Sequence, residues 1–270
     1  MERLLTMRSI TIKNLIIPTL LLGIFFIPFN SWSGIGFLGE YYRDSCFLFF
    51  SFAFALVLFK RRINIPVKNL IFQFLILFIL WSILATLFNA HNVADYYFKQ
   101  TSGLSRFINQ FGSLIIASII IPLTFYNGFK WININKTFRL IRRVVLASLI
   151  IVLIYSIIEI LIVKFNMVNL KKPLLNLFDY FPFTEAKTDM RLRRISSVTF
   201  EPPALGTYLL SIAGWMFSYI FTGKKNFKYL PTLIVLFLGF MSGSRKKIDL
   251  KLFEFGKEYH KTSNWDWNKY

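Results

Sequence analysis

The stretch Leu70–Phe88, LIFQFLILFILWSILATLF, runs for nineteen residues without a charge. At a helical rise of ~1.5 Å per residue it reaches about 28 Å, close to the ~30 Å hydrocarbon core of a bilayer. We read it as a membrane-crossing helix. Its surroundings agree: 55% of the 270 residues are hydrophobic, 19% aromatic and only 17% charged, and mean hydropathy is +0.53. That composition is too apolar for one globular core.

Six further apolar runs flank it: Leu15–Phe29, Ser45–Phe59, Phe107–Phe125, Val144–Val163, Ala204–Phe221 and Leu230–Met241. The expected fold is therefore all-α, a polytopic transmembrane bundle of about seven spans occupying residues 1–245. Arg3, Arg8 and Lys13 precede the first run, but no A-x-A cleavage site follows it, so it reads as a retained span rather than a signal peptide. After Arg245 the apolar pattern stops, and 246–270 reads as a polar tail.

Charge sets the expected orientation. Segments 1–14, 60–69, 127–143 and 222–229 hold three, four, five and three Lys or Arg, against one in 30–44 and two in 89–106. Positive loops stay in the cytoplasm, which puts the N-terminus inside. The same distribution accounts for the net charge of +19 without nucleic acid. By parity, the larger loop 164–203 lies outside; within it, Phe165–Phe183 mixes leucines with Lys171, Lys172 and Asp179 in the manner of an interfacial helix.

Several chemistries are excluded. One cysteine and two histidines make no zinc set, and neither G-x-x-x-x-G-K-[ST] nor G-x-S-x-G occurs. No metal or cofactor is expected. What remains is Arg191–Gly206, RLRRISSVTFEPPALG, in which Arg191, Arg193 and Arg194 precede a hydroxyl cluster, Glu201 and the pair Pro202-Pro203. Proline at a helix start loses no hydrogen bond, so the sixth span should begin there. Arginine's planar fork binds phosphate in a bidentate way, and on a membrane face it suits a pyrophosphate or an anionic lipid headgroup equally. Glu159 lies within the fifth run near Lys164, either as a functional group or as one reaching the interface. Arg106 and Gln110 share a helix face, and His91 follows the third run, each a helix-end anchor or a catalytic candidate.

The motif RISSVTFEPPALGTYL from Arg194, with Ser242-Gly243-Ser244-Arg245 closing a later span, resembles the O-antigen polymerase and O-antigen ligase family of bacterial envelope polysaccharide synthesis. The resemblance covers about residues 10–245, and Arg106–Gln110 is similar too. It implies a multi-pass inner-membrane enzyme, an inverting glycosyltransferase, that takes undecaprenyl-pyrophosphate-linked oligosaccharide at the periplasmic face of the bilayer. A polymerase moves the glycan onto another lipid-linked repeat unit, a ligase onto lipid A core. Flippase and chain-length regulator proteins are the implied partners. Carried over by motif, Arg194 and Arg245 bind pyrophosphate, with Arg191, Arg193 and Arg106 beside them; Glu159, His91 and Glu201 are the base candidates. Family members usually continue after S-G-S-R into further spans, so the resemblance implies a C-terminally truncated chain. A lipid-linked sugar flippase or a non-catalytic membrane partner is the alternative.

Overall fold

The computed structural model describes residues 2–31, 44–59, 63–98, 101–165, 194–222 and 226–243, with the single positions 167, 169 and 171. The expected interfacial helix 165–183, apart from those positions and Phe165, and the tail 246–270 lie outside the described residues.

The chain starts with α1 (Glu2–Phe25) and α2 (Cys46–Phe59), then α3 (Leu70–Phe88) and the short α4 (Ala90–Asp95). A two-residue antiparallel ribbon, Tyr97–Phe98 against Thr101–Ser102, leads into α5 (Gly103–Ile115). A π-helical turn, Ile116–Ile120, joins α5 to α6 (Ile121–Phe129). Pro122 is its local cause: proline has no N–H for the turn behind it and its ring crowds that turn, so the helix widens, and the Ile121 N–H donates to the Ile116 carbonyl five residues back. The remaining helices are α7 (Ile134–Phe165), α8 (Pro202–Thr222) and α9 (Leu230–Ser242), the last preceded by a 3-10 turn, Asn226–Tyr229.

Four of these segments are long and apolar enough to cross a membrane, namely Leu70–Phe88, Gly103–Phe129, Ile134–Phe165 and Pro202–Thr222; Asn14–Phe25, Cys46–Phe59 and Phe227–Ser242 are apolar but shorter. The protein is thus a helical membrane protein. Each of the seven apolar runs forms a helix, although only four reach crossing length. Two helices extend well beyond their runs. α1 begins at Glu2 and α7 at Ile134, ten residues before Val144, because basic side chains interrupt the apolar count without disfavouring helix.

The interior is built on α1. Where Gly23 would carry a Cβ lies the ring of Phe50 from α2, and Gly128 of α6 makes the same room for Leu20. α7 and α8 close the other side: Val145, Leu149 and Val152 of α7 are buried, as are Leu205, Leu209, Ile212 and Met216 of α8. Spacings of three, four and seven put each set on one helix face. At one end of this pair the Arg142 guanidinium lies 4.2 Å over the Tyr219 ring and bonds the Thr222 hydroxyl, while Phe138 stacks on Trp215 at 5.1 Å. In contrast, α3 buries Ile79 alone and turns an apolar surface outward on nearly every side, as a helix solvated by lipid does.

The turn from α4 into α5 depends on one glycine. A Cβ at Gly103 would overlap the Val93 carbonyl oxygen, and the Gly103 N–H donates to the Tyr96 carbonyl at 2.7 Å. Backbone, unlike a side chain, cannot rotate away. Gly103→Ala should therefore destabilise the protein by about 1–3 kcal/mol in detergent thermal unfolding. Gly112→Ala and Gly214→Ala, whose Cβ atoms would meet nothing within 4 Å, should leave the midpoint unchanged or raise it.

Candidate functional site

Over residues 195–199, just before α8, the backbone is not helical but is buried. Ile195, Ser196, Ser197, Val198 and Thr199 are each no more than 4% exposed. Irregular backbone inside a membrane bundle is tolerated only when protein supplies its hydrogen bonds. Here the supply is complete enough to trace. The carboxylate of Glu159, itself 3% exposed, accepts the Ser196 N–H at 3.0 and 3.1 Å, the Ser197 N–H at 2.6 Å and the Ser196 hydroxyl at 3.2 Å. Two consecutive N–H groups converging on one anion form a nest. Ser197 adopts φ 54°, a left-handed conformation that a non-glycine residue takes only under constraint.

The rest of the segment is tied to α7 and to the residues that follow α1. Ser197 donates its hydroxyl to the Val152 carbonyl, almost two turns along α7 from Glu159, at 2.8 Å. Ser31 donates to the Val198 carbonyl at 3.1 Å, and the Asn30 side-chain oxygen accepts the Phe200 N–H at 2.7 Å. The Thr199 hydroxyl bridges the Ser196 and Glu201 carbonyls at 2.6 and 2.9 Å. The Glu201 carbonyl also accepts the Ala204 and Leu205 N–H groups, which starts α8 with Pro202 and Pro203 in its first turn, where no N–H is needed. Deeper in the bundle, Tyr208 donates to Ser148, which donates to the Phe25 carbonyl.

This segment delivers Arg194 to a cavity of about 560 Å³ between α8 and α9. Pro202, Pro203 and Gly206 line it from α8, Ser242 and Gly243 from the end of α9, and Leu209, Leu210, Ala213, Val235, Leu236 and Phe240 supply its apolar walls. Its floor is partly backbone, since a Cβ on Gly206 or Gly239 would meet nothing within 4 Å. The two halves of the sequence motif, some forty residues apart, therefore share one concavity, with Arg194 among the residues that line it.

The other site residues predicted from sequence are scattered or not described. Arg191, Arg193 and Arg245 lie outside the described residues. Arg106 is exposed on α5, which packs against α4 and has no extended contact with α7 or α8 among the described residues. His91 sits on α4 with its Nδ1 3.4 Å from Asp95, both well exposed. Glu201 is exposed beside the cavity-lining Pro202. Asn30, Ser31, Ser148 and Tyr208 were not singled out from sequence; a polar residue at the edge or middle of an apolar run was the available signal.

No family model, curated protein or solved structure matches the chain. Fold and site define it as a polytopic helical membrane protein with a buried polar loop beside an apolar cavity.

The left-handed Ser197 offers a direct check of this geometry. Ser197→Val loses the hydroxyl bond and places a β-branched side chain at positive φ, which should lower stability by about 2–3 kcal/mol. Ser197→Gly loses the same bond but relaxes the backbone, so its thermal midpoint should lie between those of Ser197→Val and the parent.

Proposed function

We propose that the protein is a polysaccharide polymerase-like enzyme of the bacterial inner membrane, acting on undecaprenyl-pyrophosphate-linked glycan at the periplasmic face. One observation carries this reading: Arg194, the Pro202–Gly206 turn and Ser242-Gly243 border the same cavity. Its lining suits an amphiphile, with Arg194 to meet phosphate oxygens and apolar walls to meet a lipid chain. Arg245 follows Gly243 by two positions in the chain and supplies the second cation of the clamp.

In the reaction, a hydroxyl of the acceptor sugar attacks the anomeric carbon of the donor. The bond from that carbon to the pyrophosphate oxygen breaks with inversion, and undecaprenyl pyrophosphate leaves. Arginine stabilises the charge gathering on the leaving phosphate, and a base takes the hydroxyl proton. Glu201, exposed next to Pro202, is the carboxylate best placed along the chain for that proton.

Arg194→Ala and Arg245→Ala should each lower polymer output about 100-fold or more at unchanged protein abundance, read as loss of long-chain polysaccharide on gels. Lysine at either position should rescue poorly, because it keeps the charge and loses the fork. Normal long chains in both alanine variants would remove the clamp.

The same reading requires seven crossings with the N-terminus in the cytoplasm, the three shorter helices included. Alkaline phosphatase fused after Tyr96 should then be active and after Asn133 inactive. The reverse pattern would invert the whole assignment.

A further inference from the structure

We infer that Glu159 is the positioning residue for Arg194: its carboxylate fixes the backbone two and three residues beyond the arginine and so keeps Arg194 in the lining of the α8–α9 cavity. The inference rests on the proposed reading for what Arg194 binds. The anchoring itself rests on geometry alone.

Four observations carry it. Among the described residues, the donors that reach Glu159 come from Ser196 and Ser197, the second and third residues after Arg194. The ties to Val152, Asn30 and Ser31 engage Ser197, Val198 and Phe200, farther along the chain from the arginine than the Ser196 N–H that Glu159 holds. Glu159 sits on α7, whose Val145, Leu149 and Val152 are buried in the core, so the anchor is part of the rigid frame. And Glu159 is not among the residues that line the cavity, while both its oxygens already receive protein donors. A general base must face the proton it removes, with a lone pair free to take it. Glu159 faces the loop instead.

The two roles predict opposite orders of substitution. Glu159→Gln keeps one acceptor for the Ser196 and Ser197 N–H groups, and its amide donates to the Ser196 hydroxyl. Glu159→Asp withdraws the carboxylate by one methylene, and Glu159→Ala removes it. For a positioning residue, Glu159→Gln retains polymer output within about threefold of the parent, whereas Glu159→Asp and Glu159→Ala fall tenfold or more, since a displacement of about 1 Å at a binding group has effects of that size. For a base, Glu159→Gln is the inactive variant.

A second readout is independent of catalysis. In a Cys46→Ser background, Val198→Cys puts the single thiol in the buried segment, where Val198 is fully enclosed. In purified, detergent-solubilised protein, a hydrophilic maleimide should label it about tenfold faster or more with Glu159→Ala than with Glu159 or Glu159→Gln, because the loop opens more often. Where Glu159→Ala does not accumulate, Glu159→Asp serves in its place. Equal labelling across the series overturns the anchoring, and an inactive Glu159→Gln with a protected thiol overturns positioning in favour of a base. If labelling follows the expected order while the Arg194 variants make normal polymer, Glu159 stands as the anchor of the loop and the pyrophosphate clamp falls.

Discussion

One buried carboxylate meeting two backbone N–H groups is the contact on which the described architecture turns. Within a bilayer, a chain that leaves helical geometry must find partners for every peptide group it exposes, and water is not there to help. Glu159 supplies acceptors for Ser196 and Ser197, and the left-handed turn at Ser197 is what lets both N–H groups point at one side chain. With that turn set, Ile195 and Val198 go inward and Pro202 starts α8. An isolated acid in this position would be expensive; an acid with three donors on its oxygens is a structural part.

The cavity owes its position to the same turn. α8 packs against α9, with Thr232 bonding the Met216 carbonyl between them. Small residues on both sides of the cavity, Gly206, Ala213 and Gly239, leave it unfilled. Arg194 lines that cavity because the segment following it is stitched into α7 and the residues after α1. Helix packing makes the apolar trough, and the irregular segment brings the charge to it.

Much of the fold was legible before any coordinates. Leu70–Phe88 matches its helix end for end, and Leu230–Met241 falls one residue short. Such runs are local signals, read from neighbours in the chain. Helix beginnings were read less well, since Lys136, Arg139, Arg142 and Arg143 end an apolar count without ending a helix. The site was half legible. Arg194 and the two proline positions stood out by composition, and Glu159 by its apolar setting. What Glu159 binds did not, because its partners lie 37 and 38 residues away, and those of Asn30 and Ser31 lie 170 and 167 away. Pairings over such distances leave no periodicity in a single sequence.

The polarity buried on α7 also has a consequence for biogenesis. Glu159 is made 37 residues before Ser196, so α7 enters the membrane ahead of the loop that its acid will hold. At a few kcal/mol for an acid at the helix centre, the long apolar run around it is enough to carry it in, but not to settle it. The bundle is finished only when α8 descends and draws the loop onto α7. Until then the young protein is an inserted helix with an unmet electrostatic demand, a state that quality-control proteases of the membrane are equipped to notice.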